Sequence, residues 1–518
     1  MAFLASNACV SKLETDADVG TGDDAENGGS ATEGGDDDGS TGDTIKFERI
    51  PARGISISFV EANHGVEVPV LEGGEWVDGP ARNAQLIKGR NTLLRALWEI
   101  EDGFEPREIE AELTLFLPGG DTEVGTTRMV IEGPSSQSGS NNAFFFIVPG
   151  ELMVPGVHYQ IRLYETDFGY EDTPEPQQTA WPAEPSFVGI EAMEMELRVV
   201  LVPIKHDLGP NCPDAPELDE ESLKVLHRAL FNQNPVEHVE MIVHPGITYT
   251  SGMSSFGGIL STLANLHDPA DPGTYVYGVV RPCDGGPEGV GGQAISIPGF
   301  PSQDNAWSRT AVGRWYPSIS STADTFVHEI GHTQGRRHVR CNGNEGGPDP
   351  SYPHEGGSIN VWGFGALDFT MRTPASKDYM TYCGSTWVSD WGWQKVIPYI
   401  REITSWYASG APLAVDEQNT ILVGLIDPDA GTEDWFTTWG SATGRSLASD
   451  RIEITTAAGR TELEATIGEM GEGNAYNVVV ELPRTLELEQ AQRITWIHAD
   501  DTRSEIAEVR TGPTSLKF

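Results

Sequence analysis

The run Thr325–His338, TFVHEIGHTQGRRH, holds three of the chain's 12 histidines. His328 and His332 lie four apart. On a helix this spacing puts both imidazoles on one face, one turn apart. Two imidazoles so placed can grip one zinc ion. Glu329 follows the first of them and projects close to such an ion without binding it, where it can take a proton from water at the metal. Gly335 then stops the helix, because glycine adopts the left-handed conformation of helix ends at little cost. Three residues on, His338 can complete a three-histidine site. A fourth position left open for water is the arrangement of a catalytic rather than a structural zinc. Imidazoles bind metal only when neutral, so activity is expected to fall in acid. Cys341 is near in sequence, but a fourth protein ligand there would leave Glu329 without a task.

The elements that must position these residues follow from the flanking pattern. Ser321 and Asp324 predict a helix start and a helix over Thr322–Gln334. Residues 204–409 alternate helical and strand-like runs: ESLKVLHRALFNQ and SFGGILSTLANLH at helical spacing, VEHVEMIVHP and TYVYGVVRP as strands. WVSDWGWQKVIPYIREITSWYA closes that region as a helix strained near Pro398. His354, in the loop from Asn342 to Lys377, reads as a surface residue. Residues 44–203 show short apolar or alternating runs separated by Gly-, Pro- and Asp-rich turns, the pattern of an antiparallel sandwich. Residues 410–518 return to strands and predict a smaller β domain.

HEIGHTQGRRH resembles the HExxHxxGxxH signature of metzincin zinc endopeptidases, and DYMTYCG supplies the methionine turn of that clan. The resemblance implies that Met380 floors the metal-binding imidazoles and that Tyr382 is an extra ligand or a hydrogen-bond donor to the transition state. Val339 stands where the snake-venom and adamalysin branch has aspartate, so the chain looks more like a little-characterised branch of exported bacterial metallopeptidases. Together these readings predict a multidomain chain: an α+β metzincin-like catalytic domain, a mixed sheet with an active-site helix, flanked by β-sandwich-like domains. The implied cofactor is one catalytic Zn2+; a structural Ca2+ is not indicated. The implied reaction is hydrolysis of protein or glycoprotein substrates, with Glu329 and Tyr382 catalytic.

Composition narrows the setting. The net charge of -45 over 518 residues argues against nucleic acid, which needs a basic footprint. No apolar run is long enough for a membrane-spanning helix. MAFLASNAC resembles the end of a bacterial lipoprotein signal, which would make Cys9 a lipidated residue and a membrane anchor; an incidental cysteine in a disordered tail is the other reading. Residues 1–43 otherwise form an acidic tether too poor in apolar groups to order itself. Setting Cys9 aside leaves four cysteines, an even number that fits two disulfides and an oxidising compartment. The favoured pairs are Cys341–Cys383 and Cys212–Cys283. The expected location is extracellular or at the cell surface, and the expected assembly a monomer. The competing function is an adhesion module in which the β domains bind glycoprotein or polysaccharide and peptidase activity is secondary.

Overall fold

The computed structural model describes residues 49–139, 142–343, 345–408, 419–442, 447–512 and 514–517. Cys9 and the acidic tether lie outside the described residues.

The first strands form two antiparallel sheets. One has the order Glu75–Trp76, Glu67–Glu72, Ile55–Asn63, Thr92–Ile100, Phe144–Val148; the other runs Ala180–Phe187, His158–Glu165, Arg107–Phe116, Thr122–Ile131. Alternating side chains of both sheets meet in one core with Val60, Trp98, Phe144, Ile161 and Trp181, as the two-residue period of a strand dictates.

The next strands build a mostly parallel sheet. Its order is His238–Val243, Glu196–His206, Tyr275–Val280, Thr310–Arg314, Gly292–Ala294, with Ile247–Tyr249 also paired to Glu196–His206. The last strand in the order, Gly292–Ala294, is antiparallel to its neighbour. The helices are α1 (Glu220–Gln233), α2 (Gly257–Ala264), α3 (Ile319–Thr333) and α4 (Asp390–Ala408). Asp219 caps α1 by accepting from the Ser222 N–H, and its exposed acids sit in the first turn where the helix dipole favours them. α4 carries Pro398 inside it.

Every residue of Tyr275–Val280 is buried, as expected of a strand covered on both faces. The two faces enter different cores. Tyr275, Tyr277 and Val279 pack with Leu226 and Leu230 of α1, Phe326 and Ile330 of α3, and Trp393 of α4. Val276 and Val280 pack with Ile259, Leu260 and Leu263 of α2, and with Ile421, Val423, Phe436 and Val479 from the end of the chain. Those last residues belong to a nine-stranded sheet built from residues 420–517.

The expected α+β metzincin-like domain with β-sandwich-like flanks is corrected by this architecture. The chain is mostly β, 39 % strand against 17 % helix, with a curled sheet. The physical reason lies in what covers the parallel sheet. Helices α1, α3 and α4 close one face, but α2 is too short to close the other, and strands from the end of the chain complete it.

Two disulfides form, Cys212–Cys283 and Cys341–Cys383. They are compatible with an extracellular protein. No described helix is long and apolar enough to cross a membrane.

Candidate metal centre

Helix α3 carries His328, Glu329 and His332 into the interior. It begins at Ile319, three residues before the predicted start, with Ser318 in the cap position. Ser321 is therefore inside the first turn. Instead of Ser321, Thr322 ties that turn to the preceding chain by accepting from the Tyr316 N–H at 2.9 Å. At the other end Gly335 has φ +81°, and a Cβ there would lie 2.5 Å from the Pro298 carbonyl oxygen. The Gly335 N–H donates to the His332 carbonyl and the Arg336 N–H to that of Gly331, at 2.9 and 3.0 Å. These bonds satisfy the last carbonyls of the helix and turn the chain back, which brings His338 beside the other two imidazoles.

The protonation of each ring follows from its partner. Nδ1 of His328 is 2.8 Å from the Tyr379 carbonyl oxygen. Nδ1 of His332 is 2.7 Å from that of Arg336, and Nδ1 of His338 is 2.7 Å from that of Gly346. A carbonyl oxygen only accepts, so each Nδ1 carries the proton and each neutral ring presents a bare Nε2. The three Nε2 atoms converge, His332 being 3.1 Å from His328 and 3.2 Å from His338. Lone pairs facing one another at this range are unfavourable unless a cation lies between them. A tetrahedral zinc with bonds of about 2.0–2.1 Å sets its nitrogens about 3.3 Å apart. The donor set therefore fits a metal ion. Burial, followed by the neighbouring His328 and His338, holds the His332 pKa well below the ordinary imidazole value, which keeps this ring in its ligand form.

A fourth group completes the cluster. Glu472 reaches the histidines from the loop between the strands Gly459–Glu469 and Tyr476–Leu482. Its Oε1 is 3.4, 4.0 and 3.5 Å from Nε2 of His328, His332 and His338, and the four side chains together could hold a metal ion. Tyr382 donates its hydroxyl proton to Glu472 Oε2, and the Tyr382 hydroxyl oxygen is 3.0 Å from His338 Nε2. The position expected to be open for water thus faces a carboxylate. Sequence spacing missed Glu472, although two glycines bracket it between alternating runs, a signal for a tight hairpin tip.

Glu329 lies beside the cluster and is only 1 % exposed. Its Oε2 has no hydrogen-bond partner. Burial first, and the Glu472 carboxylate second, push its pKa well above the usual carboxylate value, against a hydrogen bond from the Ala294 backbone. A Cβ at Gly292 would sit 2.7 Å from its Cγ and Oε1, so glycine is what lets the antiparallel strand close over this carboxyl.

Beneath the helix, Met380 is fully buried. A Cβ at Gly331, between the two helical ligands, would lie 2.6 Å from Met380 Sδ and 2.7 Å from Tyr379 Cε2. The contact needs glycine in mid-helix, where alanine would otherwise gain about 1 kcal/mol. We expect Gly331→Ala to be destabilising by roughly 1–3 kcal/mol, because overpacking outweighs that gain, and to weaken metal affinity as the helix shifts. Urea unfolding and a competitive chelator titration measure both; an unfolding midpoint that rises would show that the floor yields freely.

Arg336 organises the outer shell. Its guanidinium is fully buried, 3.4 Å from Asp378, and stacks over Trp391, while its carbonyl orients His332. Asp378 also accepts from the Met380 N–H at 2.9 Å and the Ser389 hydroxyl. One buried ion pair therefore ties a ligand's orientation to the methionine beneath it. The Cys341–Cys383 bridge joins the chain just after His338 to the chain just after Tyr382. The Cys212–Cys283 bridge lies away from the cluster, with Cys283 N–H donating to His206. His354 pairs with Asp390 at 2.8 Å and takes no part.

A cavity of about 490 Å3 opens beside the cluster, lined by Gly292, Asp324, His328, Glu329, Tyr382 and Glu472 among others. A larger hollow of about 920 Å3 lies in the first β region, lined by residues including Arg53, Glu99, Glu101 and Tyr170. It has room for a ligand but, among the described residues, no convergent set of metal donors, so we place the chemistry at the smaller cavity.

No protein-family model and no curated protein matches this chain.

Proposed function

We propose that the chain is a zinc-dependent endopeptidase that hydrolyses protein substrates outside the cytoplasm. The observation that carries this reading is the convergence of three bare Nε2 atoms beside a buried carboxyl with an unpartnered oxygen, at the wall of a cavity. His328, His332 and His338 would hold the ion, which when bound supplies Lewis acidity toward a carbonyl oxygen and toward water.

The chain's own residues supply the rest. Glu329 accepts a proton on Oε2 and returns it to the leaving nitrogen. Gly292 and the Ala294 N–H hold the carboxyl in place. Tyr382 presents a hydroxyl at the edge of the cluster, where it can donate to oxygen that gains charge. Four protein ligands with no role for Glu329 would instead describe a structural metal. A structural site has no use for a buried carboxyl with an unpartnered oxygen opening on a cavity of this size, and burying a polar atom without a partner is costly. That cost favours the catalytic reading.

The test uses casein as an unstructured substrate, with and without a zinc chelator, and includes the Glu472→Ala variant because Glu472 faces the fourth position. Chelator-sensitive cleavage by either form supports the reading. Absence of cleavage by both forms, each folded and metal-loaded, overturns it.

A further inference from the structure

The loop that delivers Glu472 does more than contribute one oxygen. The strand Gly292–Ala294 is bonded on one side to Thr310–Arg314. Its other side is a free edge, the kind of template onto which an extended peptide adds as a further strand. The hairpin tip occupies that side. The Gly471 N–H donates to the Ala294 carbonyl, and the Ile297 N–H donates to the Glu469 carbonyl, both at 2.9 Å. Asn477 Nδ2 donates to the Ile295 carbonyl at 2.8 Å. Arg337, next to the third ligand, donates to Glu469 Oε1 at 2.7 Å.

The backbone approach is close. A Cβ on Gly471 would lie 2.8 Å from the Ala294 nitrogen and 3.0 Å from His332 Cδ2. Glycine at this position therefore lets the chain pass directly over a metal ligand. Met470 and Ala475 are buried in the core shared with α2, so the base of the tip is fixed. Gly473 and Asn474 are exposed, and Asn474 is held by Asp429 at 3.2 Å.

We propose that this hairpin tip is an internal blocker: Glu472 takes the fourth position at the metal, and the backbone beside it fills the edge a substrate strand would use. The inference deepens the zinc-peptidase reading and rests on it. Three neutral imidazoles leave a bound divalent ion its full charge, which a carboxylate at this distance complements. The tip pairs with the edge through backbone groups, which any extended peptide also carries, so blocker and substrate compete for the same hydrogen bonds. The folded chain is then latent while Glu472 holds the metal; without that carboxylate, an extended substrate displaces the tip backbone from the edge, because both offer the same hydrogen bonds.

The test measures binding of acetohydroxamate, a small bidentate zinc ligand, to the zinc-loaded full chain by calorimetry. Cobalt-loaded protein gives a second readout through its visible absorption, which reports coordination. Glu472→Ala is expected to bind acetohydroxamate at least 10-fold more tightly than the parent, with metal affinity lowered by less than 10-fold. Glu472→Gln keeps the shape of the side chain and should shift in the same direction, which keeps the test informative if the alanine variant folds poorly. Equal hydroxamate binding by parent and both variants overturns the blocker. So does a variant that loses metal more than 100-fold without gaining hydroxamate, since Glu472 would then be a permanent ligand. Hydroxamate entry into Glu472→Ala without any casein cleavage would leave the blocker standing and sink the peptidase reading alone.

Discussion

Replacing Glu329 by Gln should lower turnover by about 100-fold or more, the contribution typical of a positioned general base, and leave the metal in place. Glutamine has the same length and keeps an oxygen that can accept from the Ala294 N–H, so the local packing is preserved. What it cannot do is accept a proton. The measurement is kcat on a fluorogenic peptide in the Glu472→Ala background, where the fourth position is open, alongside elemental analysis for zinc. Stability provides the control. The Glu329 carboxyl is buried, and its pKa is raised above the unfolded value. Above that unfolded value the native state therefore loses stability through this group as pH rises, because ionising it inside costs more than ionising it in water. Glutamine removes this cost. The variant should unfold at a urea concentration no lower than the parent's near pH 7, and lost turnover cannot then be ascribed to lost structure. Near-normal kcat in a zinc-replete Glu329→Gln preparation would remove Glu329 from the mechanism.

The parts of the site that sequence made visible share one property: their geometry is local. His328 and His332 are related by one helical turn, and Gly335 ends that helix with a positive φ. His338 follows within one turn of chain. Helical periodicity and the conformational freedom of glycine are enough to place them. Met380 was reached by resemblance, not by periodicity, and the reason it can sit where it does, the missing Cβ of Gly331, became visible only when the two segments were seen in contact.

Glu472 had no such signature. It arrives from a hairpin whose strands lie on the far side of the parallel sheet, and the register that aims it depends on how Val479 and Val423 pack against α2. Alternation identifies a strand and its buried face, but not which other face it meets. The same gap accounts for the corrected fold class. The strand runs after residue 420 were legible, yet their role in covering one face of the central sheet was not, because that contact joins segments far apart in the chain and leaves no periodic trace. The cysteines were easier: with Cys9 set aside, four leave few pairings, and Cys212–Cys283 joins the segments that follow two adjacent strands, Glu196–His206 and Tyr275–Val280.

His332 should be the ligand whose loss is felt most. It is fully buried, lies between the other two imidazoles, and is the ring whose outer hydrogen bond ends on Arg336, itself anchored to Asp378 beneath the site. Removing an outer partner of a metal ligand typically costs 10–100-fold in affinity; removing the central ligand should exceed that. His332→Ala is expected to purify with less than about a tenth of the parent's metal. The variant also leaves a cavity and an unpaired Arg336 carbonyl, so reduced stability alone would not discriminate. The discriminating quantity is the linkage between metal and folding. A ligand bound only by the native state stabilises it by about 2.7 kcal/mol at 100 times its Kd. Added zinc should therefore raise the parent's unfolding midpoint and leave that of His332→Ala unmoved. A variant that keeps a full complement of zinc and the parent's zinc-dependent stabilisation would show that the ion, if any, is held elsewhere than between these three rings.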